Sequence, residues 1–376
     1  MKFHAQETDM TDAIAAVMPA ANAAFSIEPI TVKDPQRGEI MIDIKAVGVC
    51  HTDLVMCSGA FGTVFPAVFG HEGAGVVVAI GDGVTKVAVG DKVLLTFNSC
   101  GVCARCTDDD PSYCTQFSAL NLACARGDGS SRLHGHGTAL SDNFFGQSSF
   151  ASKAIAMERN VIKLADDADL AMLAPLGCGV QTGVGAVTRS LEAKPGQSLL
   201  VIGGGSVGLS AVLGGRLAGC SPIILIEPQQ DRRTIATEIG ADHVIDPAAG
   251  DIVAAVRAIL PDGVDLVVDT SGHMPSVTAS LGMLANKGKL GLVGLPGAFD
   301  AALPVPVIQW ITSGGTVRGI VEGDSDPDQF LPELIEHHRA GRLPFDRFVR
   351  TYPFDQINEA IADAHSGKAI KVVLTL

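Results

Sequence analysis

A chain of 376 residues is long enough for two domains, each with a substantial core. Its net charge of −14 and its lack of a basic cluster argue against nucleic acid or an anionic membrane as partner, since both demand a positive surface. Small molecules remain. The opening MKFHAQETDMTDAIAAV has no basic segment followed by a long apolar run, so no secretory signal is read there and a cytoplasmic protein is expected. Nine cysteines in that compartment would stay reduced, and the four that fall between positions 100 and 114 favour metal over disulfide.

From about Ala13 to Phe97 the pattern is mostly strands. Ile40, Ile42 and Ile44 alternate with more polar neighbours, and GVVVAIG and KVLLTF follow between glycine turns, as in a small β-rich domain. Cys50 ends one strand and the chain returns at FGHEGAG with His71 and Glu72, so both places carry candidate metal ligands. Next comes CGVCARCTDDDPSYC, in which Cys100, Cys103, Cys106 and Cys114 have the spacing C-x2-C-x2-C-x7-C. Four thiolates on one short loop suit a closed tetrahedral zinc site that holds a segment poor in apolar residues. An iron–sulfur cluster or a disulfide pair is the alternative. Asp108 to Asp110 read as a solvated acidic turn, and His134 and His136 on the polar loop that follows receive no role. Cys178 lies in the small-residue run PLGCGVQTGVG, where a cysteine taken alone is a packed thiol.

Leu199 to Glu227 read as strand, glycine turn, helix, strand. Gly203, Gly205 and Gly208 give G-x-G-x-x-G: the first allows the tight turn, the second lets the backbone approach a pyrophosphate, and the third lets helix pack on strand. The free N–H groups there, including those of Ser206 and Val207, face the phosphates. Glu227, at the end of the second strand, would bind the adenosine ribose hydroxyls and face a 2′-phosphate as charge against charge, so NAD is expected over NADP. Arg232 and Arg233 stand close by and could cradle that phosphate, although at a helix start they would more simply face solvent. Pro195 to Gly215 carries no charge, but seven glycines make a poor lipid-facing helix. Further strands end at Asp269 to Gly272 and at Val293 and Gly294, so strand and helix alternate as in a parallel, doubly wound sheet. Two helical stretches follow, from about Asp328 to His338 and Asp355 to His365, and KAIKVVLTL closes as a strand returning to the first domain.

The combination of GVCHTD, FGHEGAG, the four-cysteine loop, GCGVQTGVGA, GGGSVG and SGKAIKVVL resembles the zinc-dependent medium-chain alcohol dehydrogenases over nearly the whole chain. FFGQSSFA at Phe144 to Ala151 and RGIVEGDSDPDQFLPELI from Arg318 are similar to the aryl-alcohol dehydrogenases and their relatives acting on allylic terpene alcohols. The resemblance implies an α/β protein with a GroES-like catalytic domain over 1–179, to which 323–376 return, and a Rossmann domain over 180–322. It implies that Cys50, His71 and Cys178 hold a catalytic zinc with an open fourth position, that the four-cysteine loop holds a structural zinc, and that hydride passes from alcohol to NAD. Asp53 would orient the ligand histidine and Glu72 modulate the metal's coordination. Thr52 would accept the substrate proton, and Thr182 and Val293 would line the nicotinamide.

Two positions depart from the family pattern. Val55 stands where the liver-type enzymes have a proton-relaying histidine, so His51, at the position where an arginine often meets the pyrophosphate, is the candidate relay. Lys371 replaces a phosphate-binding arginine, and a point charge lacks the bidentate fork. Phe61 and Phe150 are candidates for the pocket wall. The expectation is a cytoplasmic homodimer or homotetramer that oxidises a primary aryl or allylic alcohol, with no nucleic-acid or membrane partner. A glutathione-adduct formaldehyde dehydrogenase would need basic residues for its anionic substrate, and a non-catalytic redox sensor would have no use for an open metal site.

Overall fold

The computed structural model describes residues 10–298 and 300–376. The first nine residues, on which part of the reading of the N-terminus rests, lie outside the described residues. Two compact units result: Met1–Cys178 with Val349–Leu376, and Gly179–Phe348. The return to the first unit therefore comes at Val349, not at 323. Residues 323–348 stay with the second unit because Pro327–Arg339 buries Phe330, Leu331 and Leu334 there, with the Arg189 guanidinium 4.1 Å over the Phe330 ring.

The first unit is β-rich. Its larger sheet runs in the spatial order Val161–Lys163, Lys92–Leu95, Glu72–Ile80, Glu39–Val49, Lys371–Thr375 and Val349–Pro353, and Lys153–Met157 also pairs with Glu39–Val49. Ile40, Ile42 and Ile44 of that central strand are buried, as are the rings of Phe69, Phe144 and Phe150, each side chain contributing about 1.5–3 kcal/mol of burial. The register sets Gly48 opposite Glu72 and Val49 opposite Val372. Three strands distant in sequence thus end side by side, at the same level as Cys50.

The second unit carries six parallel strands in the order His243–Ile245, Ile223–Ile226, Leu199–Ile202, Val264–Asp269, Leu284–Leu292 and Thr316–Gly319. Leu199 to Ile202 are buried throughout, the pattern of a parallel strand covered on both faces. Helices make the crossovers, and the strand order reverses on either side of Leu199–Ile202, the switch point at which doubly wound sheets bind their ligands. The uncharged stretch from Pro195 resolves into this strand and the helix Ser206–Ala218. Among the described residues no single helix is long and apolar enough to cross a membrane.

Candidate active site

Cys50 leaves the end of strand Glu39–Val49 and caps the helix His51–Cys57. The cap is reciprocal: the Cys50 N–H donates to Asp53 Oδ2 at 2.8 Å. The other carboxylate oxygen accepts from the Gly70 N–H at 3.1 Å and pairs with His71 Nδ1 at 2.9 Å. Asp53, wholly buried, therefore ties the Cys50 segment to the His71 segment. With Nδ1 engaged, His71 Nε2 is buried and has no hydrogen-bond partner among the described residues. Cys178 follows the turn Ala174–Gly177, whose last carbonyl accepts from Thr96 Oγ1 at 2.8 Å; a Cβ at Gly177 would lie 2.3 Å from the Leu95 carbonyl, so only glycine lets this segment come so close. One donor atom each from Cys50, His71, Glu72 and Cys178 lies within 4.8 Å of the others. A buried imidazole nitrogen without a partner, converging with two thiols, fits a divalent metal of zinc's ligand preference.

The charges of the cluster are set by the same contacts. The hydrogen bond from Cys178 holds the Cys50 thiol well below its ordinary pKa; burial opposes this and the neighbouring His71 reinforces it. Burial alone would lower His71, but the charge and hydrogen bond of Asp53 outweigh it and raise the imidazole well above its usual value. Burial pushes Glu72 up, and Lys371 pulls it the other way. A Cβ at Gly48 would overlap the Glu72 carboxylate, so the glycine makes room for that side chain.

Lys371 is 1% exposed, and its ammonium pairs with Glu72 and donates to the Val49 carbonyl at 3.1 Å. A buried carboxylate needs a charge partner, and the register of the last strand supplies this one. Thr52 Oγ1 lies 3.7 Å from Cys50 Sγ, and His51 is exposed at the helix start.

Phe150 is plain core: it is fully buried, packs edge-on to Phe25 at 5.8 Å between centroids, and stands against Gly70. Phe61 is 40% exposed. The aromatic rings packed on the candidate metal site are Phe145, stacked on His71 at 4.4 Å, and Phe144, edge-on to it at 5.2 Å, both of them buried. Gln147 was also given no role; its amide donates to the carbonyls of His71 at 2.9 Å and Thr96 at 3.2 Å and accepts from the Gly73 N–H at 3.1 Å, clamping the backbone on both sides of Glu72. The motif FFGQ was visible in the sequence, but nothing local says which residue of it meets His71.

In the four-cysteine loop, Sγ separations are 3.9 Å for Cys100 and Cys106, 3.6 Å for Cys103 and Cys106, and 4.0 Å for Cys103 and Cys114. Thiolates bonded to one zinc at about 2.3 Å stand about 3.8 Å apart, whereas a disulfide needs about 2.05 Å. None of the nine cysteines is in a disulfide. Backbone N–H groups of Cys100 and Gln116 donate to Cys114 and that of Cys103 to Cys100, contacts that would support thiolates on a bound metal.

The glycine turn has the expected division of labour. Gly203 has φ +96°, a Cβ on Gly208 would lie 1.8 Å from the Gly203 carbonyl, and a Cβ on Gly205 would meet nothing within 4 Å, leaving the approach to the helix start clear. Ser206 and Val207 open that helix. Glu227, 3% exposed, accepts from the N–H groups of Gly204 at 2.6 Å and Gln229 at 2.8 Å, so its carboxylate is fixed against the turn. Arg233 does not face solvent: it donates to the carbonyls of Glu227 and Pro228 at 2.7 Å each and pairs with Asp246 at 3.0 Å. Arg232 is half-buried. The Val293 N–H is held by the Asp269 carbonyl, and Thr182 Oγ1 donates to Glu322 at 3.4 Å.

Family models described as "Alcohol dehydrogenase GroES-like domain" and "Zinc-binding dehydrogenase" match residues 36–166 and 206–337. The geraniol dehydrogenase of Castellaniella defragrans is 46% identical over 368 residues, 97% of this chain and 98% of that protein. A class-3 alcohol dehydrogenase of Myxine glutinosa is 34% identical over 369 residues, 96% of this chain and 97% of that one. The crystal structure of benzyl alcohol dehydrogenase from Acinetobacter calcoaceticus superimposes with a TM-score of 0.94 at 37% identity, over 97% of this chain and 99% of that one.

Proposed function

The chain belongs to the zinc-dependent medium-chain alcohol dehydrogenases, and from that premise we propose that it oxidises a primary aryl or allylic alcohol reversibly to the aldehyde, with NAD as hydride acceptor. The observation that carries this reading is the buried, partnerless His71 Nε2 converging with Cys50 and Cys178. Zinc held by these three residues would favour the alkoxide form of the substrate and polarise the aldehyde carbonyl, and NAD would take the hydride. Cys100, Cys103, Cys106 and Cys114 would hold a second zinc that closes the loop.

The chain's own residues do the rest. Asp53 keeps the proton on His71 Nδ1, so that Nε2 presents its lone pair. Thr52 takes the alcohol proton at Oγ1, and exposed His51 passes it to water. Glu72, paired with Lys371, would be the acid placed to modulate the coordination of a metal held there. Glu227 accepts from the ribose hydroxyls, with half-buried Arg232 on the same adenosine side, and the N–H groups of Ser206 and Val207 meet the phosphates. Nine cysteines outside any disulfide suit the cytoplasm. A homodimer or homotetramer is favoured by Val307, Ile308 and Ile311, 68%, 81% and 75% exposed on the short helix that precedes the edge strand Thr316–Gly319.

The test is reduced-cofactor absorbance after addition of NAD or NADP with geraniol, benzyl alcohol, ethanol or S-(hydroxymethyl)glutathione. Turnover with the first two and NAD supports the proposal. Turnover confined to the glutathione adduct, or none with any alcohol, overturns it.

A further inference from the structure

The segment Val321–Ser325 has a backbone its sequence does not favour. Three successive residues, Glu322, Gly323 and Asp324, take left-handed φ values of +50°, +68° and +51°. Only the middle one is glycine, and each of the other two carries strain that persists only where the surroundings enforce it. The enforcement is visible. A Cβ at Gly323 would lie 2.6 Å from the Gln181 carbonyl, Arg318 pairs with Asp324 at 2.5 Å, and Ser325 Oγ donates to Gln181 Oε1 at 2.8 Å. The result is that the Glu322 carboxylate, 7% exposed, is driven against the helix Gly179–Gly185, where it accepts from Gln181 Nε2 at 3.3 Å and Thr182 Oγ1 at 3.4 Å. That helix packs on the start of the phosphate-facing helix so closely that a Cβ at Gly183 would lie 2.2 Å from the Val207 carbonyl.

We propose that Glu322 makes the cofactor site discriminate between the oxidised and the reduced nicotinamide, an inference that rests on the reading of Thr182 as a residue lining that ring. The oxidised ring is a cation and the reduced ring is neutral, whereas the adenosine and phosphate parts are identical. A carboxylate one hydrogen bond behind Thr182 attracts the cation and is nearly indifferent to the neutral ring, and its seclusion from water keeps that attraction from being screened. Glu322 is a positioning residue in this sense: it sets the redox balance of the bound couple without contacting the alcohol.

The experiment titrates the full-length wild-type protein and Glu322→Gln with NAD by calorimetry, NADH by its fluorescence, and ADP-ribose, which lacks the nicotinamide. In Glu322→Gln, NAD binding should weaken about tenfold, NADH should change less than about threefold, and ADP-ribose should be unchanged. For a two-electron couple this raises the potential of the bound cofactor by about 30 mV. Glu322→Gly is the second variant: glycine suits the left-handed backbone, so it folds without the original strain, and it should show the same shift. NAD and NADH weakening in parallel, or neither changing, in the two variants overturns the inference. Failure of the wild type to bind either ADP-ribose or NAD overturns the dinucleotide reading beneath it.

Discussion

Asp53→Asn isolates what one buried carboxylate does for the candidate metal site. The carboxylate accepts three hydrogen bonds, from the Cys50 N–H, the Gly70 N–H and His71 Nδ1. An amide of the same shape has one accepting end. If its oxygen faces Gly70 and His71, its NH2 meets the Cys50 N–H donor to donor; if it is flipped, two donors are stranded instead of one. The smaller loss is one charge-assisted bond, about 1.5–3 kcal/mol, together with the cost of leaving a buried N–H unsatisfied, about 1–3 kcal/mol, so about 2.5–6 kcal/mol is expected, with about 4 kcal/mol at the middle of the range. In a unit of the size of Met1–Cys178 with Val349–Leu376, each kcal/mol shifts the melting midpoint by about 2–4 °C, which predicts a fall of about 10 °C. Loss of the anion also frees His71 to take the other tautomer, and outer-sphere substitutions of this kind weaken metal binding by about 10- to 100-fold. The assay pairs a thermal melt with zinc competition against a colorimetric chelator. A variant that melts within about 2 °C of wild type and holds zinc within about threefold refutes the reasoning.

Cys103→Ser should release one zinc and lower the melting temperature, while Cys178→Ser should release the other, abolish turnover and leave a folded protein that still binds NAD. Iron in the metal analysis, or full activity with one zinc, contradicts this. Glu227→Ala should erase a preference for NAD of roughly tenfold or more, read as kcat/KM with both cofactors; no gain with NADP means the carboxylate is not the discriminator. His51→Gln should slow alcohol oxidation chiefly at low pH, where hydroxide is scarce as an alternative proton acceptor, and weaken NAD binding modestly. An unchanged pH profile assigns the relay elsewhere.

Chemistry that depends on neighbours along the chain was legible from the residues themselves. The four thiols of Cys100, Cys103, Cys106 and Cys114 span one short loop, and their spacing already limits them to a compact cluster. Gly203, Gly205, Gly208 and Glu227 belong to one strand, turn, helix and strand, where a left-handed glycine and a carboxylate at a strand end follow from local geometry. The apolar run Leu199 to Ile202 likewise announces a strand covered on both faces. What tertiary structure alone decided lies where a side chain's partner comes from far along the chain. No spacing rule joins Cys50, His71 and Cys178; sheet register and the close approach at Gly177 do. Lys371 reads in sequence as a stand-in for a phosphate-binding arginine, and only the last strand shows that its ammonium pairs with a carboxylate that would otherwise be buried without a counter-charge. Arg233 turns inward because two carbonyls and Asp246 are there to satisfy it. Gln147 and Glu322 were silent for the same reason. A hydrogen bond's worth depends on what stands at its other end and on how little water reaches it, and both are properties of the packed molecule, not of the residue.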